Sequence, residues 1–336
     1  MRVGSGRGLS VEGGASQGPP GRWCPPSYGL GPAAFLAGRH YDADVVYVVG
    51  GLYGNPFALS RLVQLFDAEP ATRKLFILNG DFHWFDRDEA TFAYIEHATA
   101  PFVRLRGNVE TEIAAPGDDA GCGCAYPASV PDEDVDRSNV ILGELKQVAR
   151  ATGCDQALGA LPAVARVSCG GLHMAVTHGD DRSLAGWDFA CDRLDDTWRD
   201  GLGNRMRTLG VSLIASSHTC LAVADARLHE GQLRAVVNNG SAGMANFQGD
   251  PSGLFTRVAA AGWADACDEG PLYRAAVGGA DVAAVPVRFD AFAWQSYFLQ
   301  RWPEGSAAHT SYWRRILGGP AHHPDNAARG LFQRHV

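Results

Sequence analysis

Apolar and polar positions along the chain set a rhythm of short hydrophobic runs followed by helix-spaced segments. "ADVVYVVGG" (43–51) is a run of β-branched and aromatic residues closed by glycine, which predicts a buried strand. "NPFALSRLVQLFDAE" follows with helical spacing, Asn55 as the N-cap and Pro56 at the first helical position. A second strand is expected in "RKLFILNGDFHWFD" (73–86), ending at Gly80-Asp81. "DEATFAYIEHA" then reads as a short helix and "PFVRLRGN" (101–108) as a third strand. Strands and helices alternating in this way argue for βαβ units and a parallel sheet.

Beyond that point the pattern loosens. Glu110 to Asp136 is long, acidic and rich in Gly and Pro, so a functional or disordered loop is expected there. A helix returns at 138–152. "ALPAVARVSCGGLHMAVTHGD" predicts a hairpin around Gly170-Gly171 ending at His178-Gly179, and the stretch from Ser183 to Gly210 reads as mostly helical. "VSLIASSHTC" and "LRAVVNNGSAG" are strand-to-loop steps, "AAVPVRFDAF" a late strand and "SYWRRILGGP" a last short helix. Residues 1–21 form a Gly/Ser/Pro tail, expected to be flexible, and 22–42 an ordered arm without an assigned place.

Composition narrows the function classes. The 336 residues are 46% hydrophobic and 20% charged, ordinary for a packed protein. The net charge is −8, and lysine occurs only at Lys74 and Lys146, so general nucleic-acid binding is not expected. No apolar run approaches the roughly 18 residues a membrane span needs, and the N-terminal tail lacks the apolar core of a signal peptide. The eight cysteines are therefore expected as reduced thiols or metal ligands, and the cytoplasm as the location.

Five expected strand ends finish in residues suited to metal or phosphate: Gly51–Asn55, "NGD" (79–81), "GNVE" (107–110), "THGD" (177–180) and "SHTC" (217–220). Ligand sites in open α/β sheets form outside the carboxyl ends of strands. Asp81, Asn108, His178 and His218 would together offer a carboxylate, an amide oxygen and two imidazoles, a set suited to Mn, Fe or Zn. At the first strand end, Gly54 and Asn55 open a helix whose N-terminal amides could hold a phosphate.

In this order the motifs resemble the calcineurin-like metallophosphoesterase superfamily, in particular its small bacterial phosphodiesterase branch. The resemblance covers roughly residues 43–290, with 110–136 as a loop insertion and 291–336 as a C-terminal extension outside the pattern. It implies a four-layer α/β/β/α sandwich and a metal-dependent phosphoric ester hydrolase, acting on a small-molecule phosphoester or nucleotide. It also implies that Asp81, Asn108, His178 and His218 hold one metal ion. The positions implied for a second ion carry Gly51, Tyr53, Asp81 and Cys220, and the implied proton donor is Val109.

One metal site is thus intact and the other remodelled, for one or two ions per chain. Cys220, His83 and Tyr53 are the candidates to complete the second site. For Cys220, ligand and space-filler stand as equal readings; for Tyr53, packing or substrate stacking is preferred; for His83, a hydrogen-bonded histidine at a strand end. Cys122 and Cys124, in "GCGCAYP", are expected near the site as ligands, a redox pair or plain thiols. A catalytically inactive binding or regulatory protein is the alternative to an enzyme. The aromatic C-terminal segments leave a substrate wall and a homo-oligomer contact both open.

Overall fold

The computed structural model describes residues 18–335, so the tail read over 1–21 lies mostly outside the described residues. Two seven-stranded sheets form its centre. The first runs β14 (Gln333–Arg334), β11 (Tyr273–Val277), β12 (Ala280–Val287), β10 (Gly253–Ala260), β2 (Val45–Val49), β3 (Lys74–Asn79), β4 (Val103–Leu105). The second runs β1 (Arg39–Asp42), β5 (Val164–Cys169), β6 (Leu172–Thr177), β7 (Leu213–Ser216), β9 (Gln232–Asn238), β8 (Val223–His229), β13 (Ala328–Gly330). Parallel pairing is confined to β2–β3–β4, β6–β7–β9 and the edge pairs β1–β5 and β8–β13; the other pairs are antiparallel.

The strand pattern explains the layering. All five residues of β2 are buried, as its unbroken apolar run predicts. Val45, Tyr47 and Val49 pack against the helices Pro56–Ala68, Glu89–Thr99 and Asp132–Thr152, while Val46 and Val48 meet the second sheet. A third cluster covers the far face of the second sheet with Pro32–Ala37, Leu194–Arg199 and Leu202–Leu209. The result is the expected α/β/β/α sandwich.

Several elements differ from the sequence expectation. Asn108–Ala114 is a helix and Asp132–Thr152 a longer one, so the irregular span shrinks to 115–131. The acidic run that read as loop is the first turn of the second helix, where Asp132, Glu133 and Asp134 complement the helix dipole. β10 escaped notice because Arg257 interrupts its apolar run. That arginine is fully buried, and Glu69 neutralises it through two hydrogen bonds of 2.9 Å. The junction of the tail and the 22–42 arm crosses the irregular span: Gly21 exchanges backbone hydrogen bonds with Ala120 and Tyr126, and Arg22 donates to the carbonyls of Pro127 and Val130. No helix among the described residues is long and apolar enough to cross a membrane.

Candidate metal centre

The parallel strands of both sheets release their loops at one edge of the sandwich, where cross-sheet hydrogen bonds bind the loops together. Ser217 Oγ and a ring nitrogen of His178 both donate to the Asn79 carbonyl, at 2.7 and 3.0 Å. Asn239 Nδ2 donates to the Val48 carbonyl at 2.9 Å. This edge gathers Asp81, Asn108, His178 and His218. Around His178 Nε2 lie Asn108 Oδ1 at 3.0 Å, His218 Nδ1 at 3.1 Å and Asp81 Oδ1 at 3.4 Å.

The hydrogen-bond directions decide what these four atoms can do. His178 Nδ1 faces the Asn79 carbonyl, so it carries the proton and Nε2 presents a lone pair. His218 Nε2 donates to the Cys124 carbonyl at 3.1 Å, leaving Nδ1 as a lone pair. Asn108 Nδ2 donates to the Cys122 carbonyl at 2.9 Å, which turns Oδ1 inward. Asp81 Oδ1 is buried and has no hydrogen-bond partner. Four acceptors thus face one another with no hydrogen between them. Mutual repulsion at about 3 Å is relieved by a cation, and a tetrahedral ion with bonds near 2.0–2.1 Å would space its ligands by roughly 3.4 Å. The residues fit a metal ion.

Charge tells the same story. Burial pushes the Asp81 carboxyl up to about 7, and burial with His178 beside it pushes His218 down to about 3. His178 is also held below its ordinary value by burial. The enclosure disfavours every charge its donors could carry, and a positive ion is what would balance a carboxylate there.

Two neighbours hold the donors in place. Glu110 is fully buried, and its carboxylate accepts from the amides of Asp81 (3.0 Å), Phe82 (3.1 Å) and Gly107 (2.7 Å). It thereby anchors Asp81 in a left-handed conformation, φ 52°. Gly107 permits the close approach, since a Cβ there would sit 2.5 Å from Asp81 Oδ1. The "GCGC" loop supplies the two carbonyls that orient Asn108 and His218. Its thiols are buried, and all eight cysteines of the chain are free. Neither role was drawn from the sequence. For Glu110 a signal existed: a glutamate three residues after Gly107 is the reach of a capping box. Carbonyl roles leave no trace in residue identity.

The second site is a different matter. Tyr53 Oη lies 2.6 Å from Cys220 Sγ, and the Cys220 thiol stands outside the Asp81, His178 and His218 cluster. Burial raises both groups well beyond neutrality, so the pair is an uncharged hydroxyl and thiol. The Tyr53 ring also fills the space that a side chain at 51 would need: a Cβ on Gly51 would lie 2.9 Å from Cε2, Cζ and Oη. Glycine at 51 is therefore what the position of the Tyr53 ring requires. Among the described residues, one group of His, Cys, Asp and Glu donors lies close enough together to hold a metal ion: Asp81, His178 and His218.

His83 is a hydrogen-bonded histidine, the reading preferred from the sequence, and not a ligand. Its ring nitrogens face Asp86 at 2.5 Å and Glu96 at 3.1 Å, and the ring stacks on Phe92 at 3.9 Å. Burial opposes its charge, but the two carboxylates outweigh burial and push it up to about 10. A protonated imidazole cannot ligate a metal. His83→Gln should leave the metal content unchanged. It should lower stability by roughly 3 kcal/mol, because it leaves the buried Asp86 carboxylate without its charged partner, while Glu96 keeps Arg104; a denaturant titration beside elemental analysis checks both. Metal loss with unchanged stability would return His83 to the ligands.

The phosphate expectation for Gly54 and Asn55 is also corrected. Gly54 N donates to Phe82 O (2.8 Å) and Asn55 N to Leu52 O (3.1 Å). The Asn55 side chain caps Phe57 and Ala58 and donates to Gly243 O. These donors are spent inside the fold. The space over the metal donors is instead a cavity of about 190 Å³, walled by Trp84, Tyr126, Trp187 and Tyr312 and bordered by Val109 and Arg315.

The chain is similar to a hypothetical protein from Pyrococcus horikoshii OT3, at 14% identity and TM-score 0.54, over 83% of this chain and 99% of that one. It is also similar to a metallophosphoesterase from Sphaerobacter thermophilus, at 16% identity and TM-score 0.48, over 83% and 100%. The chain shares its fold with the Pyrococcus horikoshii protein, and its layering is the α/β/β/α order that the sequence resemblance implied. No protein-family model and no curated protein sequence matches it. The donors Asp81, Asn108, His178 and His218 stand together at the expected strand ends, with Tyr53 and Cys220 paired beside them.

Proposed function

We propose that the protein is a one-metal phosphoesterase acting on a small-molecule phosphoester, located in the cytoplasm. The observation that carries this reading is the set of four lone-pair donors, free of intervening hydrogens, beneath a small cavity. A divalent ion held by Asp81, Asn108, His178 and His218 would supply Lewis-acid chemistry, acidifying water and polarising a phosphoryl oxygen. The carbonyls of Asn79 and Cys124 hold the protons of His178 and His218 away from the centre, so both imidazoles act as neutral donors. Glu110 keeps Asp81 in position, and the aromatic walls exclude bulk water. Cavity size supports a compact substrate, and eight free thiols agree with a reducing compartment.

A second reading, a non-catalytic module that binds a phosphorylated ligand or nucleotide, draws on two observations. Tyr53 and Cys220 fill the second ion's place, and Val109, which lines the cavity, has no proton to donate. Acid–base assistance is worth roughly 10²–10⁴ in rate, so its loss is felt. A panel of phosphomonoesters and phosphodiesters, assayed with Mn-, Fe- and Zn-loaded protein, tests the choice. Turnover that disappears on metal removal, and in Asn108→Ala, is expected. Binding without turnover for any ester and any metal would move the second reading ahead.

A further inference from the structure

We propose that Arg315 takes the place of the second metal ion, as the fixed positive charge that grips the phosphoryl group of the substrate. The inference rests on the phosphoester reading above and adds the group that recognises the anion. Arg315 lies on the helix Ala307–Gly318, beyond the span of the sequence resemblance, yet it lines the cavity together with Asp81, Asn108 and His218. Asp81 is the only carboxylate among the cavity-lining residues, and Arg315 the only guanidinium.

Its attachment is specific. Nη2 donates to the Cys220 carbonyl at 2.6 Å and Nε to the Ala245 carbonyl at 3.0 Å. Cys220 is the residue standing where the resemblance puts a ligand of the second ion, so the guanidinium is tethered at that ion's border. Two carbonyl acceptors orient the fork without neutralising it. Among the described residues, no carboxylate pairs with Arg315 and Nη1 donates to nothing, whereas most arginines of the chain are paired with carboxylates. A part-buried arginine left uncompensated beside a small cavity suits a planar, charge-assisted contact with an oxyanion. With a divalent ion on one wall and Arg315 on the other, the cavity lining sets two cationic groups against the single carboxylate of Asp81, which favours an anionic ligand.

Inorganic phosphate is the probe, titrated calorimetrically into the metal-loaded full chain. Wild type is expected to bind it, and Arg315→Gln to bind it roughly 10- to 100-fold more weakly, the range for a charge-assisted hydrogen bond. Metal content is expected to stay at the wild-type value, and added guanidinium to recover part of the affinity. Phosphate affinity unchanged in Arg315→Gln overturns the proposal and leaves Arg315 a link between Cys220 and Ala245. If Arg315→Gln also loses metal or thermal stability, Arg315→Lys decides: retained phosphate binding upholds the clamp and its loss with metal in place overturns it. Absence of phosphate binding by wild type overturns it too. Phosphate held through Arg315 without turnover of any ester would instead defeat the hydrolase reading alone. Turnover with Arg315-independent phosphate binding would defeat this one alone.

Discussion

Protein purified without an affinity tag is expected to carry one metal ion per chain, and Asp81→Ala to carry none. Asp81 contributes the one anionic donor of the cluster, and its Oδ1 is buried without any hydrogen-bond partner. Removing it leaves two imidazoles and an amide oxygen, all neutral, in an enclosure that disfavours charge. Loss of an outer partner of a ligand costs roughly 10- to 100-fold in metal affinity, so loss of the charged ligand itself should cost more. Cys220→Ala should keep the full ion, since its thiol pairs with Tyr53 rather than with the donor cluster. Elemental analysis of wild type and both variants decides. Two ions per chain, falling to one in Cys220→Ala, would refute the single-ion centre and restore the rebuilt second site.

Glu110→Ala is expected to have the largest effect on stability of any change near the site, and to weaken metal binding through Asp81. The buried carboxylate accepts three amides, those of Asp81, Phe82 and Gly107. Each unmet buried donor costs roughly 1–3 kcal/mol, so the sum is about 3 kcal/mol at the least. That is a large part of the roughly 5–15 kcal/mol by which folded domains are stable. Glu110→Gln should be milder, because one oxygen remains to accept. Burial, and after it the charge of Asp81, already push the Glu110 carboxyl up to about 7, so the neutral amide gives up little charge. Thermal melts and metal content for both variants provide the check. A Glu110→Ala protein with wild-type melting and full metal would remove Glu110 from its positioning role.

How much of this was readable from the chain differs by residue. Asn55 and Pro56 announced a helix start, and the side chain of Asn55 does cap it. The same residue was misread as a phosphate holder because a cap and an anion site share one signature: free amides at a helix start. His83 sits two residues from Asp81 and imitates a displaced metal-ligand pair, but carboxylates from Asp86 and Glu96 claim both its nitrogens. Arg315 gave no sign, since an unpaired arginine is recognisable only once its surroundings are known.

What the sequence determined by itself is whatever depends on neighbours along the chain. The unbroken apolar run of β2, the hairpin at Gly170-Gly171 and the order Asp81, Asn108, His178, His218 at strand ends belong here, because periodicity and turn chemistry are local. Tertiary structure decided which way those donors face and what packs beside them. His218 takes its tautomer from a carbonyl 94 positions away. Tyr53 meets Cys220 across 167 positions, in room left by Gly51. Arg315 reaches Cys220 across 95. Lone-pair direction and the filling of a vacated space are properties of packed surfaces, and they come into being only when the two sheets close on each other.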